Sequence, residues 1–376
     1  MKHRKGAHIV RLLICAGGTG GGVYPAVTVL ETLNLEKDSI LWVGGRGGME
    51  EELVTRRKIP FKSIPAAGVH GVGLWKLPGN IWQLLKGVFE SRRILRSFKP
   101  DALFFTGGFV AFPMAVAAAG TPSLLYVPDI EPGLALKALS RFASKIALTT
   151  EISKAFFPNN SKVAVTGYPV RPGLEKWSRE DALAYFDFSP SIPTLAIAGG
   201  SKGARSINMA VLKILPQLLE KMQIVHLTGH LDWEVVDQAA KQLPEDLSKR
   251  YQAFPYLHEM GAALGAADLI LSRAGASILG EYPLFGLPAI LVPYPYAWRY
   301  QKVNASYLSD RGAAEILEDE KLQEKLYDRI VDLIFDQKAL SNMRKAMKSL
   351  AEPDAAEKIA QMINDLAETE NGGMRS

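Results

Sequence analysis

The sequence predicts an α/β protein built as two doubly wound parallel sheets in tandem. Three observations carry that expectation. Short apolar runs of strand length alternate with helical stretches along nearly the whole chain, the pattern that yields a parallel sheet with helices on both faces. The opening LLICAGGTGGG has a counterpart in TLAIAGGSKGA, displaced by 182 residues (17 to 199), so a strand, a glycine loop and a helix start occur twice. At 376 residues the chain exceeds a usual single core, and two domains are expected, 1–170 and 171–352.

The first series runs through RLLICAGG, ILWVGG at 40–45, the helical MEEELVTRRK, FKSIPA, a helix over 79–97, DALFFTGG, SLLYVPD, KIALTT and KVAVTGYPV. The second runs through TLAIAGG, QIVHLTG, YQAFPYL, DLILSRAG and AILVPYP. Between them, 171–191 concentrates proline and polar residues and reads as the linker. After Ala351 a helix starts at Pro353, and NGGMRS reads as a frayed tail.

Composition narrows the class. A single cysteine, Cys15, excludes an intrachain disulfide and a multi-cysteine zinc site, and fits the cytosol. The net charge of +5 admits an anionic partner, but no basic motif points to nucleic acid. The basic N-terminus is followed by an apolar run of only Leu12 to Ala16, which reads as a first strand and not as a cleaved signal. Residues 102–128 carry no charge, yet Gly107, Gly108, Pro113, Gly120 and Pro122 divide them into strand, helix and strand.

Candidate chemistry sits at three turns. GGTGGG and GGSKGAR leave backbone N–H groups open to an anion at a helix start, without the Walker Gly-Lys-Ser/Thr or the spacing and acid of a dinucleotide fingerprint. The third is SRAGASILGE, where Gly275 gives a turn and the N–H groups of Ala276 and Ser277 are expected to be unpaired and positive. A phosphate suits that place, and Glu281 suits a ribose because a carboxylate accepts from two neighbouring hydroxyls. An ordinary strand-to-helix turn with a surface Glu has the same appearance in isolation. Two glycine loops at equivalent points of two sheets favour a cleft with ligand on both walls. Arg171, at the domain change, suits a diphosphate or a surface ion pair.

AGGTGGGVYPA, TGYPVRPG, GGSKGARSIN, SRAGASILGEYPLFGLPAILVPYP and RYQKVNASYL, in this order, resemble the MurG family of glycosyltransferases, family 28. The resemblance implies the GT-B fold, with the donor on the C-terminal domain, the acceptor against the N-terminal one, and a last helix (353–370) crossing back onto the latter. It implies UDP-N-acetylglucosamine as donor and an undecaprenyl-diphosphate-linked muramyl peptide as acceptor. By motif position, Thr19, Gly20 and Gly21 match the first glycine loop, and Arg171 and Ser201 match the residues addressing the diphosphate. Leu257 matches a backbone contact to uracil. Ala276, Ser277, Ile278, Leu279, Gly280 and Glu281 match the helix start under the donor phosphates, and Gln301 matches the glutamine that reads the sugar hydroxyls. No Asp-x-Asp occurs, which counts against the metal-dependent class of glycosyltransferase; the resemblance implies no metal and no cofactor.

Two departures stand out. The family loop reads GGTGGH where this chain has Gly22, and His-Glu-Gln-Asn where it has Tyr126, Val127, Pro128 and Asp129. An inverting displacement needs a base for the attacking hydroxyl. Asp129 is the first candidate, Glu131 the second and His70 the third, while Asp129 as a sugar or backbone ligand stays open. The stretch 74–99 carries six Lys/Arg against one Glu, with Trp75 and Trp82 among Leu and Ile. It reads as an amphipathic helix covering the sheet, or as a basic face for an anionic membrane. The lipid-linked acceptor implied by the resemblance favours the second reading, and with it a peripheral enzyme at the cytoplasmic face of the cell membrane. Alternatives are a related GT-B transferase with another lipid acceptor, a UDP-sugar epimerase, or a catalytically silent UDP-sugar-binding protein.

Overall fold

The computed structural model describes residues 10–373 apart from 18–19, 34, 67–74, 76, 159, 201–202 and 297–299. Two compact units emerge: Met1–Arg171 with Asp354–Ser376, and Pro172–Pro353. Each is a parallel sheet flanked by helices.

In the first unit, seven strands lie in the order β3-β2-β1-β4-β5-β6-β7. They are β1 (Leu12–Ala16), β2 (Ile40–Gly45), β3 (Phe61–Ile64), β4 (Ala102–Gly107), β5 (Ser123–Val127), β6 (Lys145–Leu148) and β7 (Val163–Val165). The uniformly buried runs LLICA and SLLYV show why: a strand covered on both faces has no use for alternation. The order reverses beside β1, so the carboxyl ends of β1 and β4 frame a switch point, where ligands of such sheets bind. The register slips there: Cys15 pairs with Phe105 but Ala16 pairs with Gly107, leaving Thr106 as the extra residue.

The uncharged run 102–128 forms β4, the short helix Ala111–Ala117 and β5. No helix among the described residues is long and apolar enough to cross a membrane. Helix Leu77–Phe98 packs on helix Ala111–Ala117 through the face holding Gly87, where a Cβ would meet the Pro113 side chain at 3.1 Å. Ser91 and Ile94 are buried on that side. Ile81, Trp82, Leu85 and Phe89 recur at helical spacing on the outward side, with Trp82 60% and Phe89 73% exposed. The terminal helix Ala355–Gly373 buries Ile359 and Ile363 and lies against helix Gly20–Leu33, β4 and β5.

The second unit has six strands in the order β10-β9-β8-β11-β12-β13. They are β8 (Thr194–Ala198), β9 (Gln223–Leu227), β10 (Tyr251–Phe254), β11 (Leu269–Ser272), β12 (Ala289–Leu291) and β13 (Ala314–Ile316). The three-residue edge strand β13 is absent from the sequence reading, since so short a run carries no periodicity. The expected linker over 171–191 is also corrected. Ser178 caps helix Arg179–Tyr185, its Oγ accepting from the Asp181 N–H at 3.0 Å. Ala182, Leu183, Phe186 and Phe188 then form a small core with Ala262, Ala263 and Ala266, which binds the stretch into the second unit.

Candidate active site

The carboxyl edge of the second sheet gathers most of the expected donor residues. After β11, Gly275 opens a turn and helix Ile278–Phe285 follows. Among the described residues, the Ala276 and Ser277 N–H groups have no acceptor, whereas those of Ile278 and Leu279 bond back to Gly275 and Ala276. Two adjacent donors at a helix start form an anion seat. The run 276–281 therefore divides by role. Ile278, Leu279 and Gly280 are buried in the core, and Glu281 is half-buried one turn on.

Gln301, in the first turn of helix Tyr300–Ser309, accepts the Tyr294 N–H on Oε1 at 2.8 Å. That bond identifies the Oε1 end of the amide and leaves Nε2 as its donor end. Leu257 is buried in the loop after β10. Ser201 lies outside the described residues. Gly203, at φ +80°, sits against the Thr228 carbonyl where no Cβ fits.

Beneath that loop runs a buried polar network. His226 Nε2 meets Asn208 Oδ1 at 3.0 Å and its Nδ1 meets the Tyr251 hydroxyl at 2.8 Å. Asn208 Nδ2 donates to the Thr228 carbonyl and to Asp232, each at 2.9 Å, and Arg205 donates to Asp232 at 2.7 Å. Burial pushes the His226 imidazole down to about 3 despite Asp232, so it is neutral and structural.

In the first unit the glycine loop after β1 is built by close approach. Thr19 lies outside the described residues, as does His70; Gly20 and Gly21 begin helix Gly20–Leu33. Gly108, at φ +88°, is pressed on the Gly17 backbone. Thr106 donates to the Gly22 carbonyl at 2.7 Å. A Cβ on Gly22 would stand 3.2 Å from the Thr106 carbonyl oxygen, so any side chain there must move the end of β4. On the other flank, Glu50 is buried and accepts the Gly45 N–H at 2.8 Å.

The loop after β5 holds the candidate bases. Tyr126 is fully buried, its hydroxyl 2.8 Å from Thr149 Oγ1, and burial raises the phenol well above its ordinary range. Thr149 in turn donates to the Val127 and Pro128 carbonyls at 3.0 and 2.9 Å, pinning the turn that carries Asp129. Asp129 is half-buried. Glu131 is buried, with Lys137 Nζ at 3.9 Å. Arg171, the last residue of the first unit, lies with its guanidinium 5.6 Å from the Tyr24 ring centroid, one helical turn past the glycine loop.

The family model described as glycosyltransferase family 28 N-terminal domain matches residues 12–148, and that of the C-terminal domain matches 194–359. The chain belongs to glycosyltransferase family 28. A relative from Roseiflexus sp. (strain RS-1) is 37% identical over 419 residues, covering 95% of each chain. One from Bacillus subtilis (strain 168) is 34% identical over 364 residues, covering 95% of this chain and 99% of its own. Both are named UDP-N-acetylglucosamine–N-acetylmuramyl-(pentapeptide) pyrophosphoryl-undecaprenol N-acetylglucosamine transferase.

The crystal structure of Acinetobacter baumannii MurG is similar at a TM-score of 0.74 and 28% identity, over 95% of this chain and 99% of that one. The family 28 chain therefore has the GT-B architecture of two parallel-sheet domains. A Neisseria meningitidis UDP-GlcNAc 2-epimerase bound to UDP-GlcNAc shares the fold at a TM-score of 0.62 and 14% identity, over 94% of this chain and 99% of that one.

Several residues that shape this family 28 site carry no sequence signal of their own. Thr106, Thr149, Asn208 and Asp319 act through partners 84, 21 or 22, 20 or 24, and 46 or 113 residues away.

Proposed function

We propose that this chain transfers N-acetylglucosamine from UDP-N-acetylglucosamine to the 4-hydroxyl of an undecaprenyl-diphosphate-linked N-acetylmuramyl pentapeptide. The observation that carries the reading is the joint placement of the 276–277 anion seat, Glu281 and Gln301 on one sheet edge, in a chain alike over 95% of its length to relatives named for that activity. Phosphates take the Ala276 and Ser277 N–H groups, the ribose takes Glu281, the backbone at Leu257 reads uracil, and the Gln301 Nε2 donors take sugar hydroxyls.

The acceptor hydroxyl attacks the sugar C1 from the face opposite the diphosphate, forming a C–O bond as the bond to UDP breaks, with inversion. Asp129 takes the hydroxyl proton, and Glu131 is the second candidate. Negative charge growing on the departing UDP is stabilised by the helix-start N–H groups and by Arg171, with Ser201 and the first glycine loop (Thr19, Gly20, Gly21) completing the set. No step calls for a metal or another cofactor.

The acceptor is a membrane lipid, so the enzyme works as a peripheral protein at the cytoplasmic face of the cell membrane. The outward stripe of Ile81, Trp82, Leu85 and Phe89, beside Lys86, Arg92, Arg93 and Arg96, supports an anionic bilayer as the surface it meets. Labelled UDP-N-acetylglucosamine with the muramyl-pentapeptide lipid is expected to yield a labelled disaccharide lipid. Absence of product where an authentic transferase makes it sinks the reading.

One observation favours a second reading. Gly22 is closed over by Thr106, and buried Tyr126 replaces the family histidine, so the acceptor side differs from the family pattern. A related transferase with another lipid acceptor fits that difference, and a panel of lipid acceptors with the same donor separates the two.

A further inference from the structure

We propose that Arg273 is a positioning residue that locks the donor edge of the second unit into one piece, and that it is not a ligand of the diphosphate. The inference rests on reading that edge as the UDP-sugar site.

Arg273 follows β11 directly, and its side chain is only 9% exposed. Its Nη1 donates to Asp319 Oδ1 at 2.5 Å and to the Val292 carbonyl at 3.1 Å. Its Nη2 donates to Ser206 Oγ at 2.7 Å, and Ser206 donates on to the same Asp319 oxygen at 2.8 Å. The guanidinium also faces the Tyr294 ring at 5.2 Å. Its backbone N–H bonds the Ala198 carbonyl at 3.3 Å, where β8 ends.

Each partner belongs to a different part of the edge. Ser206 lies in the first turn of helix Arg205–Leu219, after the second glycine loop. Val292 and Tyr294 form the exit from β12, and Asp319 follows β13. One cation thus joins the carboxyl ends of four strands. The chain of contacts then reaches the sugar-reading position, because the Tyr294 N–H holds Gln301 Oε1.

An arginine beside an anion seat invites reading as a phosphate ligand, but both Nη atoms are engaged by oxygens of the protein. Its charge is matched by Asp319, itself 19% exposed. A planar fork held by two side chains, a carbonyl and a ring is fixed in place and fixes its neighbours.

The two roles predict opposite signs, which makes Asp319→Asn the informative variant. If Arg273 positions the edge, weakening its anchor reduces UDP affinity about fivefold to tenfold, the scale of one net hydrogen bond, since Asn keeps an acceptor oxygen and loses the charge. If Arg273 binds phosphate, freeing it from a competing carboxylate tightens UDP. Arg273→Lys keeps the charge and loses the fork, so it is expected to weaken UDP at least as much, whereas a phosphate-binding cation would be largely rescued.

Calorimetry with UDP on the full chain and both variants reads these changes. Amide exchange of the nucleotide-free protein reads the positioning directly, with faster exchange expected at Tyr294 in both variants and unaltered exchange at the Leu103 amide in β4 of the first unit. Tighter UDP in Asp319→Asn, or wild-type affinity in Arg273→Lys, overturns the proposal. A wild-type chain that binds no UDP would overturn the donor-site reading instead, and Tyr294 exchange would then decide the positioning role alone, unchanged exchange overturning it.

Discussion

Thr106 donates its hydroxyl proton to the carbonyl of Gly22 at 2.7 Å, joining the bulged end of β4 to the first turn of the helix after the glycine loop. The bond is buried, so its loss leaves an unsatisfied carbonyl. Thr106→Val is expected to destabilise the protein by about 1–3 kcal/mol in denaturant titration, and to lower kcat/KM for the lipid acceptor while UDP affinity stays at the wild-type value. Unchanged stability would show that the bond contributes nothing.

Arg171 lies over the Tyr24 ring at 5.6 Å, both residues half-buried, a contact of about 0.5–1 kcal/mol. Arg171→Ala should therefore melt close to wild type. Transfer should fall by about 100-fold or more, the scale seen when one charge-stabilising donor is removed. Wild-type kinetics would remove Arg171 from the site.

Asp129 and Glu131 compete for the role of base. Asp129→Asn is expected to lower kcat by about 10²- to 10⁴-fold with UDP affinity retained. Glu131, buried near Lys137, is expected to respond to Glu131→Gln mainly in stability. The reverse pattern would exchange their roles.

His226 sets a pH dependence. Its folded pKa, about 3, lies below the ordinary 6.5, so the unfolded chain binds the proton more readily. Its contribution is complete above about 6.5 and is lost as pH falls toward about 3, with a slope approaching roughly 1.4 kcal/mol per pH unit. His226→Gln should show a flatter acid limb than wild type in urea titrations across that window. Parallel curves would contradict a neutral buried imidazole.

Trp82 and Phe89 stand clear of the core on helix Leu77–Phe98. Replacing both with serine should change stability by no more than about 0.5 kcal/mol per site. Each inserted aromatic is worth about 1.5–3 kcal/mol, so cosedimentation with anionic vesicles should fall at least tenfold. Full retention of vesicle binding would remove this face from the membrane contact.

The sequence by itself determined the two-sheet plan, because strands covered on both faces must be nearly all apolar and LLICA, SLLYV and TLAIA cannot hide that requirement. It also marked the glycine loops and SRAGASILGE, since helix starts and close backbone approach demand particular residues locally. The edge strand β13 and the folded state of 171–191 escaped it. Three residues have no period, and proline-rich polarity conceals a helix held by Phe186 and Phe188 against residues some 75 positions away. Only the tertiary structure decided that Gly22 is closed by Thr106, that Tyr126 points into the core, and that Arg273 is spent on Ser206, Val292 and Asp319. Those outcomes depend on which distant strand ends become neighbours, and no local pattern in a chain encodes the partner of a side chain.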